Sequence, residues 1–171
     1  MTKPDFESLP SFYKGYLENV KDLDLYDALR KSGEDAYRLV RTIPEEKGMF
    51  RYAPDKWSIK ELLCHMIDVE RIMCYRALRF ARQDKTPLAG FEENDYAPNA
   101  NAEARKMESL LNEMRNLRQS TIDMFNSFTP TMLTYTGTAN KSNLSVLNLG
   151  YIISGHETHH VRVLQERYLK L

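Results

Sequence analysis

Two cysteines are all that the 171 residues offer for covalent cross-linking. Cys64 and Cys74 lie ten positions apart in one helical pattern, about 15 Å along its axis at 1.5 Å per residue, too far for an intrachain disulfide. No Cys-x-x-Cys spacing accompanies them, so they read as reduced thiols rather than metal ligands. Net charge is absent as well: 24 Lys and Arg balance 24 Asp and Glu. That balance removes the field expected of a nucleic-acid or anionic-membrane binder. No apolar run approaches the ~18 residues of a membrane span, and the opening "MTKPDFESLPSFYKGYL" has no signal-peptide core. The expectation is a cytoplasmic protein with a small-molecule substrate, engaging neither nucleic acid nor membrane. A phosphate-cradling glycine loop and a Gly-x-Ser-x-Gly elbow are both missing.

Glycine and proline number 7 each and cluster between long stretches of helical periodicity. Strand-like alternation is nearly absent. The length suits one domain, taken as residues 1–171. The first helical region spans about Ser11 to Thr42 with a break around Val20 to Asp24, and ends before Pro44. The second opens at "KWSIKELL", where Ser58 and Glu61 form a capping box and Trp57 and Leu62 a hydrophobic staple, and runs to about Gln83. A third is expected from about Asn101 to Phe128, and a fourth from Ser142 or Asn143 to the end. Four helices, each with one apolar stripe, predict an all-α four-helix bundle. The connection from Asp84 to Ala100 is long for a bundle loop and is expected to line a site or contact a partner.

Histidine is also sparse, with four in the chain, yet three fall within "HETHH". At about 100° per residue, His156 and His160 sit one turn apart in the middle of the last helix's apolar stripe, while His159 falls at its margin. The same exercise on the second helix turns His65 inward. An unsatisfied buried polar group costs on the order of 1–3 kcal/mol. A divalent metal shared by three imidazoles removes that cost and leaves coordination positions open, as in catalytic sites. A hydrogen-bonded polar network between the helices is the alternative.

Other polar residues carry two readings. Glu61 is assigned to the capping box. Asp68 and Glu70 could orient an imidazole or act as a base, against a solvent-facing position. Glu157 is a further catalytic candidate, against a solvated side chain or one that steadies a ligand. Arg76 and Arg167 fall on the seam-facing sides of their helices and could hold an anionic substrate group, or form an ion pair. Phe91 and Tyr96, in the long loop, could wall the cleft. "HETHH" also satisfies the zincin pattern His-Glu-x-x-His, but the absence of strands to bind extended substrate argues against a peptidase.

"RYAPDKWSIKELLCHMIDVERIMCYRALRFAR", "PLAGFEENDYAPNA" and "LNLGYIISGHETHHVRVLQERYL" together resemble the DinB/YfiT-like superfamily over nearly the whole chain. The resemblance implies an up-down-down-up bundle, often a homodimer, holding nickel or zinc through one histidine of helix two and a His-x-x-x-His pair of helix four. By position these are His65, His156 and His160, leaving His159 outside the ligand set. Activities in that superfamily include metal-dependent hydrolysis and transfer or isomerisation dependent on a low-molecular-weight thiol, and no residue here selects among them. The expected function is therefore a metal-dependent hydrolase or thiol-dependent transferase. The alternative is a non-catalytic stress-response or ligand-binding bundle in which the metal is structural or incidental.

Overall fold

The computed structural model describes residues 9–171. Asp24 starts the first long helix by accepting from the backbone N–H groups of Tyr26 and Asp27, so the expected break becomes two helices, α1 (Ser11–Leu17) and α2 (Leu25–Val40). The capping box at Ser58 and Glu61 forms as read from the sequence and opens α3 (Ile59–Ala81). The long connection carries a short helix, α4 (Glu93–Tyr96). It is followed by α5 (Met107–Asn126) and another short helix, α6 (Pro130–Thr134).

Residues 142 and 143 do not begin the last helix: Thr136–Ala139 and Ser142–Ser145 form an antiparallel hairpin, β1 and β2. Its two-residue turn is Asn140-Lys141, both at positive φ (47° and 62°), the backbone that matches strand twist. The last helix, α7 (Val146–Val163), starts at a second capping box, Ser145 with Asn148. It passes into a wider π-helical stretch, Leu164–Leu169. The third long helix likewise begins at Met107 rather than near Asn101.

Helix α7 is the centre of the molecule. Every residue from Val146 to Glu157 is buried, as expected of a helix enclosed on all sides. It packs chiefly on α2 and α3, with α1 and α6 also against it, while α5 packs on α2 and α3 from the other side. α7 and α5 therefore face each other diagonally. Gly155 lets α1 cross at close range, since a Cβ there would stand 2.3 Å from the Tyr16 carbonyl oxygen. That crossing lays the Tyr16 ring beside His156 and His159.

The apolar core falls into two clusters. One gathers Leu25, Leu29, Val69, Phe80, Phe125, Leu149 and Ile152, the other Leu39, Leu63, Ile67, Leu110, Val161 and Leu164. Between them every long helix contributes buried polar side chains: Ser32, Glu70, Arg118, Thr121, Glu157, His65 and His156. No helix among the described residues is long and apolar enough to cross a membrane.

Candidate metal centre

His65 lies on the stripe of α3 shared with Val69, Met73 and Arg76, and His156 and His160 stack one turn apart on α7, which packs against it. His156 Nε2 is 3.0 Å from His65 Nε2 and 3.0 Å from His160 Nε2, and one ring nitrogen from each residue falls within 4.8 Å of the others. A neutral imidazole nitrogen has one proton or one lone pair, so His156 Nε2 can satisfy one of those neighbours and not both. Three lone pairs turned on one cation resolve the crowding. Two nitrogens each about 2.0–2.1 Å from one ion stand about 2.9–3.4 Å apart, between right-angle and tetrahedral arrangements. The donor set therefore fits a divalent ion.

Electrostatics agree with ligands that arrive deprotonated. Burial holds His65 down to about 4. Burial first, then the neighbouring imidazoles, keeps His156 and His160 well below the ordinary histidine range. The outer shell is aromatic: the Trp57 ring lies 4.7 Å from that of His65, and Tyr16 presents an edge to His156 at 5.4 Å. His159 is half-buried against Tyr16 at 5.2 Å and lies outside the trio.

The three histidines form one wall of a cleft of about 190 Å³, which also meets Tyr13, Tyr16, Trp57, Arg76, Phe91 and Glu93. Of the residues singled out from sequence, Arg76 and Phe91 line it. Tyr96 is exposed and touches the Phe91 ring instead. Arg167 is exposed, because the wider turns after Val163 rotate less per residue and bring Tyr168 inward, its hydroxyl donating to Trp57 O at 2.7 Å. Asp68 is half-buried on the side facing Arg71, Arg105 and Glu113, away from the cleft, and burial raises its pKa.

Glu157 and Glu70 do not face solvent: both carboxylates are buried. Arg118 donates to both oxygens of Glu70 (2.9 and 2.8 Å), to Glu157 (2.5 Å), to Ser32 (2.7 Å) and to the Leu29 carbonyl (2.8 Å). Thr121 adds a hydroxyl to Glu70 at 2.7 Å. Burial pushes the Glu157 carboxyl up while Arg118 pulls it down. Sequence reasoning missed Arg118, although its place between Met114 and Thr121 on the buried stripe of α5 is a signal: a cation there needs buried anions. A further cleft of about 430 Å³ opens on the opposite seam, between α2 and α5, floored by Arg118 and Glu157 and holding none of the histidines.

The sequence profile of the DinB superfamily matches residues 28–164. No curated protein sequence matches the chain. Among solved structures, YfiT from Bacillus subtilis, described as "a probable metal-dependent hydrolase with an unusual four-helix bundle topology", superposes with a TM-score of 0.76 at 12% identity, covering 99% of this chain and 93% of that one. A mycothiol-dependent maleylpyruvate isomerase superposes with a TM-score of 0.70 at 13% identity, covering 95% of this chain and 62% of the isomerase. At these identities the likeness is one of fold.

Proposed function

The chain belongs to the DinB superfamily, and from that premise we propose that it is a divalent-metal-dependent enzyme acting on a small molecule, with His65, His156 and His160 holding the ion. The observation that carries this reading is the convergence of three neutral Nε2 atoms on one wall of an enterable cleft. Nickel and zinc suit an all-imidazole donor set. A bound ion would supply Lewis acidity that makes a water or a low-molecular-weight thiol nucleophilic at neutral pH, which favours hydrolysis or thiol-dependent transfer.

The chain's own residues divide the remaining work. Trp57 and Tyr16 pack against the imidazole rings, fixing their orientation and keeping bulk water from their outer faces. Glu157 is committed to Arg118 and is not free to act as a base, which counts against a peptidase despite "HETHH". Because Arg118 ties the helices together without any ion, metal removal is expected to abolish turnover while leaving the fold in place. A structural ion would behave in the opposite way. A homodimer in the cytoplasm completes the proposal, and light scattering tests its oligomeric part.

Elemental analysis of protein purified without an affinity tag is the direct test. About one equivalent of nickel or zinc is expected in the wild type, and little in His156→Ala. No stoichiometric metal in the wild type, or the same metal content in His156→Ala as in the wild type, would sink the proposal. Stoichiometric metal without turnover of thiol adducts, esters or amides would instead favour a non-catalytic ligand-binding bundle.

A further inference from the structure

Arg76 is 3% exposed and Arg118 5%, but Arg118 is enclosed among the helices whereas Arg76 lies on the wall of the cleft, and its surroundings are of another kind. Arg118 has two carboxylates. Arg76 donates through Nη2 to the Ala89 carbonyl at 3.0 Å, leans Nη1 on Met73 Sδ at 3.7 Å and stacks 5.7 Å from the centre of the Phe91 ring. The Tyr13 hydroxyl, on the same cleft, lies close enough to act on its charge. None of these partners is an anion, and no carboxylate among the described residues is ion-paired with it. The acid in the cleft lining, Glu93, is exposed on α4. A guanidinium has five N–H donors and a charge that persists at any physiological pH, so burying it without a counter-charge is costly unless a ligand supplies one.

Its position defines that ligand. Arg76 follows His65 by eleven residues, about 16 Å along α3 at 1.5 Å per residue, and returns to nearly the same face. Contact with Met73, three residues earlier, shows that the side chain runs back toward the histidine end. Val69, Met73 and Ile152 give the cleft an apolar wall. The loop that supplies Ala89 and Phe91 is itself pinned to the hairpin, Leu88 donating to Thr138 O at 2.9 Å and Asn140 to Leu88 O at 3.0 Å. The cation is thus held in place before any ligand enters.

We infer that Arg76 anchors a carboxylate carried by the substrate, while the reacting end of the same molecule lies against the three histidines. The inference rests on the proposed metal site for the reacting end. A single guanidinium with Glu93 nearby suits one negative charge rather than the two of a phosphate monoester. A cleft of about 190 Å³, below the roughly 300–1,000 Å³ of drug-sized ligand pockets, suits a small monocarboxylate with a short apolar spacer.

Trp57 is the chain's one tryptophan and lines the same cleft, so its fluorescence reports occupancy. The full-length protein, stripped of metal so that no carboxylate can report on an ion, is titrated with butyrate, hexanoate, hexanamide and butyl phosphate. Hexanoate is expected to bind about tenfold or more tightly than hexanamide, the margin of a charge-assisted contact over a neutral one. Arg76→Gln should erase that margin and Arg76→Lys should keep part of it, with circular dichroism confirming that both fold. Equal affinity for acid and amide, a margin that survives in Arg76→Gln, or no saturable response to either acid would overturn the inference. Tighter binding of butyl phosphate would overturn the assignment of a single charge. Should Arg76→Gln not fold, the acid-to-amide comparison on the wild type still decides. Because the titration is done without metal, its failure is distinct from a failure of the metal proposal, which elemental analysis reads separately.

Discussion

At Cys74, burial lifts the thiol to about 11, with the Thr121 hydroxyl 3.2 Å away. Cys64 is raised as well, by burial acting against the pull of Arg105. A raised thiol pKa means less thiolate at a given pH, and the thiolate is the species that alkylates. Both cysteines should therefore resist iodoacetamide in the folded protein near pH ~8 and label readily in denaturant, with mass spectrometry counting the adducts; fast labelling of either native thiol would contradict their described environment. The same scale shows what a sequence exposes. His65, His156 and His160 were legible because regular helices convert spacing into direction. Arg118 is not legible in the same way, because the anions that make an inward cation tolerable, Glu70 and Glu157, stand on two other helices. The aromatic residues of α1 that reach the site were equally invisible, since spacing within one helix says nothing about which helix crosses it.

The elements divide by whether their boundary signals are local. Ser58 with Glu61 is a contiguous signal, and α3 begins where it says. Helix α5 has no such signal: Lys106 supplies no side-chain cap, and the Met107 N–H donates to Glu45 Oε2 at 2.8 Å, from a turn 62 residues earlier. Glu45 also meets Lys60 at 2.6 Å, and that contact leads the causes holding its carboxyl below the ordinary value of 4.5. A lowered carboxyl pKa contributes stability that is present above the unfolded value and lost as pH falls through the folded one. Glu45→Ala should therefore lower Tm at neutral pH, and the gap from wild type should narrow as pH drops below 4.5. Thermal melts at a series of pH values would show it, and a gap independent of pH would discount the charge. The hairpin escaped notice for a related reason. Its strands are four residues each and mostly small or polar, and its turn is made by Asn140 and Lys141 rather than a glycine pair.

Across the whole molecule, the two apolar clusters are joined through a polar waist, and Arg118 touches all four long helices there: Leu29 and Ser32 on α2, Glu70 on α3 and Glu157 on α7, from its own place on α5. Removing one partner of such a group leaves buried charge uncompensated, at a typical cost of about 3–5 kcal/mol. Arg118→Ala should lose stability on that scale in urea unfolding. Replacing Arg118, Glu70 and Glu157 together by apolar side chains of similar size should recover much of it. If the single variant is as stable as the wild type, the waist is not what joins the helices. The central place of α7 has a consequence in time as well as space. His65 leaves the ribosome 91 residues before His156, an interval of roughly 5–18 s at about 5–20 residues per second. During it α3 is completed and α5 follows, and with α2 they have no central helix to enclose. Until α7 emerges, the nascent chain presents its apolar faces to chaperones and to its neighbours on the same message.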